Sequence, residues 1–163
     1  MKLPPKIVEL CHKEVGVEEI DGTNCGPRVN EYKATTWLPP TEAWPWCAAF
    51  IDWVVMKAME ECGETYSFQR PKTAGAWDLE NWSKKQDDST NTKRSPGSDI
   101  KAGDIVIFKF SHVGFAVADA DKETATVKTI EGNTDAAGSR EGGGVYLKRR
   151  KLSQIKTRIR FTV

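Results

Sequence analysis

Two hydrophobic rhythms divide this chain. From Pro4 to about Val15, the apolar residues Ile7, Val8, Leu10 and Cys11 fall on one side of a helix that Gly16 ends. Pro27 opens a short helical pattern carrying Val29 and Tyr32. Trp46, Ala49, Phe50, Trp53 and Val54 then recur at helical spacing. Pro45 fits the first turn of that helix, where a missing N–H costs nothing, and Gly63 supplies its stop. Thr73 is placed to cap a fourth short helix with Ala74, Ala76, Trp77, Leu79 and Trp82. From Gly103 the period changes. Asp104–Phe110, His112–Ala118, Ala125–Glu131, Val145–Arg149 and Gln154–Val163 read as strands. Helices in the first half and antiparallel strands in the second predict an α+β fold, with N-terminal helices packed on a sheet of about five strands. Polar stretches rich in turn formers separate these elements. The longest, 84–102, reads as an exposed loop within the domain rather than as a boundary.

Composition narrows the classes. The chain has 163 residues, 39% hydrophobic and 29% charged, which suits one soluble globular domain with a real core. A net charge of +1 gives no general affinity for nucleic acid, and no apolar run is long enough to cross a bilayer. Met1-Lys2-Leu3-Pro4-Pro5 lacks the apolar core of a signal peptide, so synthesis in a cytoplasm is expected. The four cysteines, Cys11, Cys25, Cys47 and Cys62, show neither a zinc spacing nor a C-x-x-C pair, and four reduced thiols are expected. Cys11 and His12 are neighbours on a helix and point apart, a poor metal pair. No metal and no cofactor are expected.

Cys47 stands in the first turn of the central helix, where the helix dipole favours a thiolate. Taken alone, such a cysteine is more often a small buried core residue. A nucleophilic thiol needs a base and a group that orients the base. Of the two histidines, His112 starts a strand and can face a cleft. Glu131 and Asn133 follow the third strand two residues apart, a spacing that puts both on one face, and hairpin pairing would bring that end beside His112. A helix-start Cys, a strand-start His and a strand-end Glu-x-Asn are stronger together than any one of them.

Five stretches carry a family resemblance: Asn24-Cys25-Gly26-Pro27-Arg28-Val29, Pro45-Trp46-Cys47-Ala48-Ala49-Phe50, Gly103-Asp104-Ile105-Val106-Ile107-Phe108, His112-Val113-Gly114-Phe115 and Glu131-Gly132-Asn133-Thr134, with a weaker match at Gly143-Gly144-Val145-Tyr146. In these the chain resembles the CHAP family, the cysteine- and histidine-dependent amidohydrolases and peptidases of peptidoglycan. The resemblance implies a papain-like fold and a single catalytic domain over 1–163. By it Cys47 is the nucleophile, His112 the base and Glu131 the orienting acid, with Asn133 in support. It also implies peptidoglycan as the partner, an amidase or endopeptidase activity used in bacterial lysis, and action on the cell wall after release by a holin or another delivery system. A monomer without nucleic-acid binding or membrane insertion is expected. Two departures stand out. Some phage enzymes of the family carry an acidic calcium loop before the cysteine, whereas Thr41-Glu42-Ala43-Trp44-Pro45-Trp46 has a single carboxylate. The second is that the wall-binding module often carried by the family's multi-domain lytic enzymes is not expected here.

The chemistry so implied is acyl transfer, with the Cys47 backbone N–H as one oxyanion donor. Asn24 is a candidate second donor, although a turn-forming Asn before Gly-Pro is its stronger reading. Trp53 reads as core, and Trp44 or Trp46 as a cleft wall. Lys148-Arg149-Arg150-Lys151, with Lys156, Arg158 and Arg160, forms a basic run that could hold an anionic wall surface. The competing functions are a catalytically silent module that binds wall peptides and a Cys-His amidase acting on another peptide conjugate.

Overall fold

Ile105–Phe108 is buried at every position, and a sheet with two covered faces explains why. Ile105 and Ile107 point into the main core beneath the helices, while Val106 and Phe108 point into a second, smaller apolar cluster with Ile100, Ala116, Val127, Leu152 and Ile155. This is the period-two alternation of a strand covered on both sides. The computed structural model describes residues 2–94 and 99–163. In it the helices α1 (Leu3–Glu14), α2 (Pro27–Lys33), α3 (Cys47–Cys62) and α4 (Ala76–Lys84) precede the strands β1 (Thr90–Arg94), β2 (Ile105–Phe108), β3 (His112–Ala116), β4 (Thr126–Thr134), β5 (Gly144–Lys151) and β6 (Ile155–Phe161). The strands form one antiparallel sheet in the order β1-β6-β2-β3-β4-β5.

The α+β expectation holds, with six strands where about five were expected. The added strand is β1. It falls inside the stretch 84–102 expected to be an exposed loop, and it pairs with β6 from Thr90↔Phe161 to Arg94↔Thr157. A polar sequence, Thr-Asn-Thr-Lys-Arg, suffices at a sheet edge, where one side chain in two meets solvent. Residues 95–98 of that stretch lie outside the described residues.

Helix α3 is the centre of the fold. Cys47 to Val55 are all buried, so the single apolar stripe expected is in fact a helix enclosed on most sides. It packs on α1, α2, β3 and β4. Burying each of Phe50, Ile51, Val54 and Val55 contributes about 1.5–3 kcal/mol, which fixes the helix against the sheet. Gly63 ends it in the left-handed conformation, φ 66°, with its N–H on the Met59 carbonyl. Two starts differ from expectation. Trp46 is the N-cap of α3, so Pro45 lies just outside the helix rather than in its first turn. The fourth helix is capped at Gly75, and Thr73 instead donates its hydroxyl to Asp52 Oδ1 at 3.2 Å.

Among the described residues no helix is long and apolar enough to cross a membrane.

Candidate active site

The first turn of an α-helix carries backbone N–H groups with no partner inside the helix. Cys47 occupies that turn at the start of α3, with its side chain almost buried. Its approach is held from across the molecule, because the Trp46 N–H donates to Asn133 Oδ1 of β4 at 2.6 Å. Asn133 Nδ2 in turn donates to the Gly142 carbonyl at 2.9 Å. Asn133 therefore fixes the entry to the cysteine helix and ties it to the 135–143 loop. It does not share a face with Glu131. Asn133 takes φ 57°, and the β4–β5 register shifts between Glu131 and Thr134, which breaks the alternation that the expected pairing relied on.

His112 opens β3 directly after a tight turn through Lys109, Phe110 and Ser111, the last with φ 57°. Its ring is fully buried and lies nearly parallel to Phe108 and Phe110, with both centroids at 5.9 Å. Nε2 meets Glu131 Oε1 at 2.9 Å. Nδ1 is buried and has no hydrogen-bond partner, and the Cys47 thiol is the other group besides Glu131 that acts on the ring. Burial pushes the imidazole pKa down. The neighbouring Cys47 thiol and the bond to the Glu131 carboxylate outweigh it and raise the value to about 9. The structure thus brings Cys47, His112 and Glu131 together in that order.

Two glycines of the sequence motifs make this contact possible. A Cβ on Gly114 would stand 2.5 Å from Glu131 Cγ, so the glutamate side chain lies across β3 only because residue 114 has none. Gly132 does the same for the helix, since its missing Cβ would meet Trp46 and Phe50. Gly114→Ala is expected to displace the Glu131 carboxylate from His112 and to slow any reaction using that pair about tenfold. Its far-ultraviolet circular dichroism should stay unchanged. Unaltered turnover in this variant would show that the contact with His112 does not matter.

The basic run does not form one solvated face. In β5, Arg149 and Lys151 are exposed but Arg150 turns inward onto Glu131. In β6, Arg158 is buried against Asp99 and Arg160 pairs with Asp104. Lys156 pairs with Glu80. Trp46 is likewise no cleft wall: it is fully buried, and its indole N–H donates to Glu19 Oε2 at 2.9 Å. Trp53 is core, as expected, and half-buried Trp44 donates its indole N–H to the Pro39 carbonyl.

Two buried ionisable groups were not singled out by sequence. Lys33 is fully buried, and its ammonium donates to the carbonyls of Asn24 and Glu42, each at 2.7 Å, and to Cys25 Sγ at 3.4 Å. It binds together the two loops that precede α2 and α3. A calcium ion does not fit the loop before Cys47, because the Glu42 carbonyl already accepts from this ammonium and Glu42 is the one carboxylate there. Among the described residues, no three His, Cys, Asp or Glu side chains gather to hold a metal. Asp52 is the second group. Burial holds its carboxyl well above the ordinary range, and Oδ2 has no hydrogen-bond partner.

A cavity of about 340 Å³, lined chiefly by Glu19, Asn24, Pro45, Asn133, Glu141 and Gly143, opens between the 17–26 and 135–143 loops. It adjoins the entry to the cysteine helix, through Pro45 and Asn133. Asn24 takes the left-handed turn conformation, φ 57°, and lines the same cavity.

Residues 39–133 match the family described as the CHAP domain, more than half of the chain. No curated protein sequence matches it significantly. Among solved structures, the crystal structure of a wild-type endolysin, LysIME-EF1, is similar, with a TM-score of 0.60 at 18% sequence identity. The match covers 98% of this chain and 64% of that one, so this chain spans just under two thirds of the endolysin's length. At that identity the likeness concerns the fold.

Proposed function

The chain belongs to the CHAP domain family, and from that premise we propose that it hydrolyses an amide bond of peptidoglycan through a cysteine nucleophile, for bacterial lysis. One observation carries the reading. A fully buried imidazole has one nitrogen on a carboxylate and the other unpartnered, with a thiol at a helix start acting on the ring. A polar cavity adjoins that helix entry. The similar fold of an endolysin supports the choice of substrate.

Cys47 and His112 rest as a thiolate–imidazolium pair, the thiol proton already on Nδ1, and Glu131 stabilises the imidazolium through Nε2. The thiolate attacks the carbonyl carbon of the scissile amide. The oxyanion forms at the start of α3, within reach of the Cys47 N–H, a first-turn group with no partner inside the helix. The His112 imidazolium then gives its proton to the leaving amine. Water, deprotonated by His112, attacks the thioester and releases the acid and the thiol. Glu131 stays ionised throughout, since its carboxyl is held down at about 2. Burial raises that value, and the bonds from Arg150 and His112 outweigh the burial.

The sign of the pH dependence follows. The imidazolium is the acid that protonates the leaving amine. With its pKa raised to about 9, it is present through neutral pH and lost as pH rises through about 9. The rate is therefore expected to fall along a one-proton limb near pH 9. A limb near 6.5, the ordinary histidine value, would contradict the thiol–imidazole–carboxylate arrangement.

The function itself is tested on purified peptidoglycan, with released fragments identified by mass spectrometry. Stem peptides freed from glycan assign an amidase, and split peptide links an endopeptidase. Iodoacetamide-treated protein serves as the thiol-blocked control. Binding to the sacculus with no fragments would replace the hydrolase by a binding module. Neither binding nor fragments, with turnover of a small peptide conjugate, would move the same chemistry to another amide.

A further inference from the structure

The carboxylate of Glu131 is saturated with donors. Oε1 accepts from His112 Nε2 and Arg150 Nη2, and Oε2 from Arg150 Nε at 2.8 Å and Thr129 Oγ1 at 2.5 Å. A carboxylate with both oxygens doubly engaged has no site left for a proton. Arg150 makes a two-pronged contact with it and is only 7% exposed. The guanidinium lies over the rings of Phe108 and Phe110, at 5.2 and 5.3 Å from their centroids, so the same two rings that flank His112 also flank its third partner. Arg150 reaches this place because β5 pairs it with Val127, two residues before Thr129 and four before Glu131 on the same face of β4.

The third prong leaves the site. Arg150 Nη1 donates to the Gly138 carbonyl at 3.1 Å. Gly138 has φ 83°, and a Cβ there would stand 2.8 Å from Nη1. The loop is shaped to receive the guanidinium. Glu141 and Gly143 of this loop line the cavity beside the cysteine helix.

We propose that Arg150 is a positioning residue of the reaction: it holds Glu131 as a fixed anion behind His112 and fastens the 135–143 cleft loop to the same carboxylate. This rests on the catalytic reading of Cys47, His112 and Glu131. The titratable or charged groups facing Glu131 are His112 from β3 and Arg150 from β5, with Cys47 of α3 reaching it only through the ring. Removing the guanidinium leaves Glu131 with one cationic partner, so its protonation rises to a higher pH, and His112 loses a rigid acceptor. A lysine restores the charge but not the fork.

The test is the pH profile of peptidoglycan hydrolysis by the unmodified protein and by Arg150→Gln, Arg150→Lys and Thr129→Val, with melting temperatures alongside. Arg150→Gln is expected to lower turnover about tenfold and to move the acid limb up by about one pH unit or more. Arg150→Lys should return the acid limb to its original position while turnover stays low. Thr129→Val keeps the charge and loses one donor, so it should move the limb in the same direction by less. A slower Arg150→Gln enzyme with an unmoved limb would reduce Arg150 to a structural support, and unchanged turnover would remove it from the site. If Arg150→Gln does not fold, Arg150→Lys and Thr129→Val decide. Cys47→Ala distinguishes the layers: fragments still released by that variant would overturn the catalytic reading itself, whereas their loss with a normal Arg150→Gln profile would overturn only the role of Arg150.

Discussion

Cys47→Ala is expected to release no peptidoglycan fragments, a loss of about 10⁴-fold or more, while the protein stays folded. The two halves of this expectation have separate causes. By the proposed mechanism the chemistry fails because an alanine offers no atom to form the thioester, and water held by His112 would have to attack the amide unaided. The fold survives because Cys47 is the first residue of a helix that continues with Ala48 and Ala49, and alanine is the best helix former. Its neighbours Trp46 and Phe50 keep their places through Asn133 and the core. A change in stability of no more than about 1 kcal/mol follows. The variant carries a second signature. Cys47 is one of the two groups that raise the imidazole, so the His112 titration followed by NMR should move down from about 9 when the thiol is removed. Fragment release comparable to that of the unmodified protein would remove Cys47 from the reaction. An unshifted histidine would show that thiol and imidazole do not interact.

The part of this site that could be read from the sequence is the part written in consecutive residues. Pro45-Trp46-Cys47-Ala48-Ala49-Phe50 reports a loop turning into a buried helix, and His112-Val113-Gly114 a strand start with room beside it. Glu131 followed because it ends an apolar run of strand spacing. Arg150 was hidden by its company. Lys148-Arg149-Arg150-Lys151 looks like a solvated charge run, and only the pairing of Arg150 with Val127 decides which of its members turn inward. Arg158 was missed for the same reason. Lys33 was hidden more deeply, since its acceptors at Asn24 and Glu42 come from loops on either side of its helix and meet only in three dimensions. Asn133 was found, but its neighbours were misjudged, because a left-handed residue cannot be read from spacing two apart. The strand β1 left a faint trace, Thr90 and Thr92 alternating in a polar stretch, which turn-forming neighbours outweighed.

The fold and the site meet at Gly132, and Gly132→Ala is expected to cost both. A Cβ at this position would lie 2.8 Å from Phe50 Cβ and 2.8 Å from Trp46 Cζ3, closer than carbon atoms tolerate. Neither neighbour can yield easily. Phe50 is fully buried against Tyr32 and Phe115, and Trp46 is anchored by Glu19 and Asn133. The relief left is to move α3 away from β4, which overpacking of this kind makes about 1–3 kcal/mol unfavourable. Cys47 rides on that helix and His112 on β3, next to β4 in the sheet. A shift of a few tenths of an ångström up to 1 Å would therefore move Cys47 relative to His112, and misplacement on that scale costs about 100-fold in rate. Activity should fall further than the folded fraction accounts for, which thermal melting and fragment release measured at one temperature will show. If activity instead falls only in step with the folded fraction, Gly132 serves packing alone, and the cysteine helix does not need this contact to hold Cys47 in place.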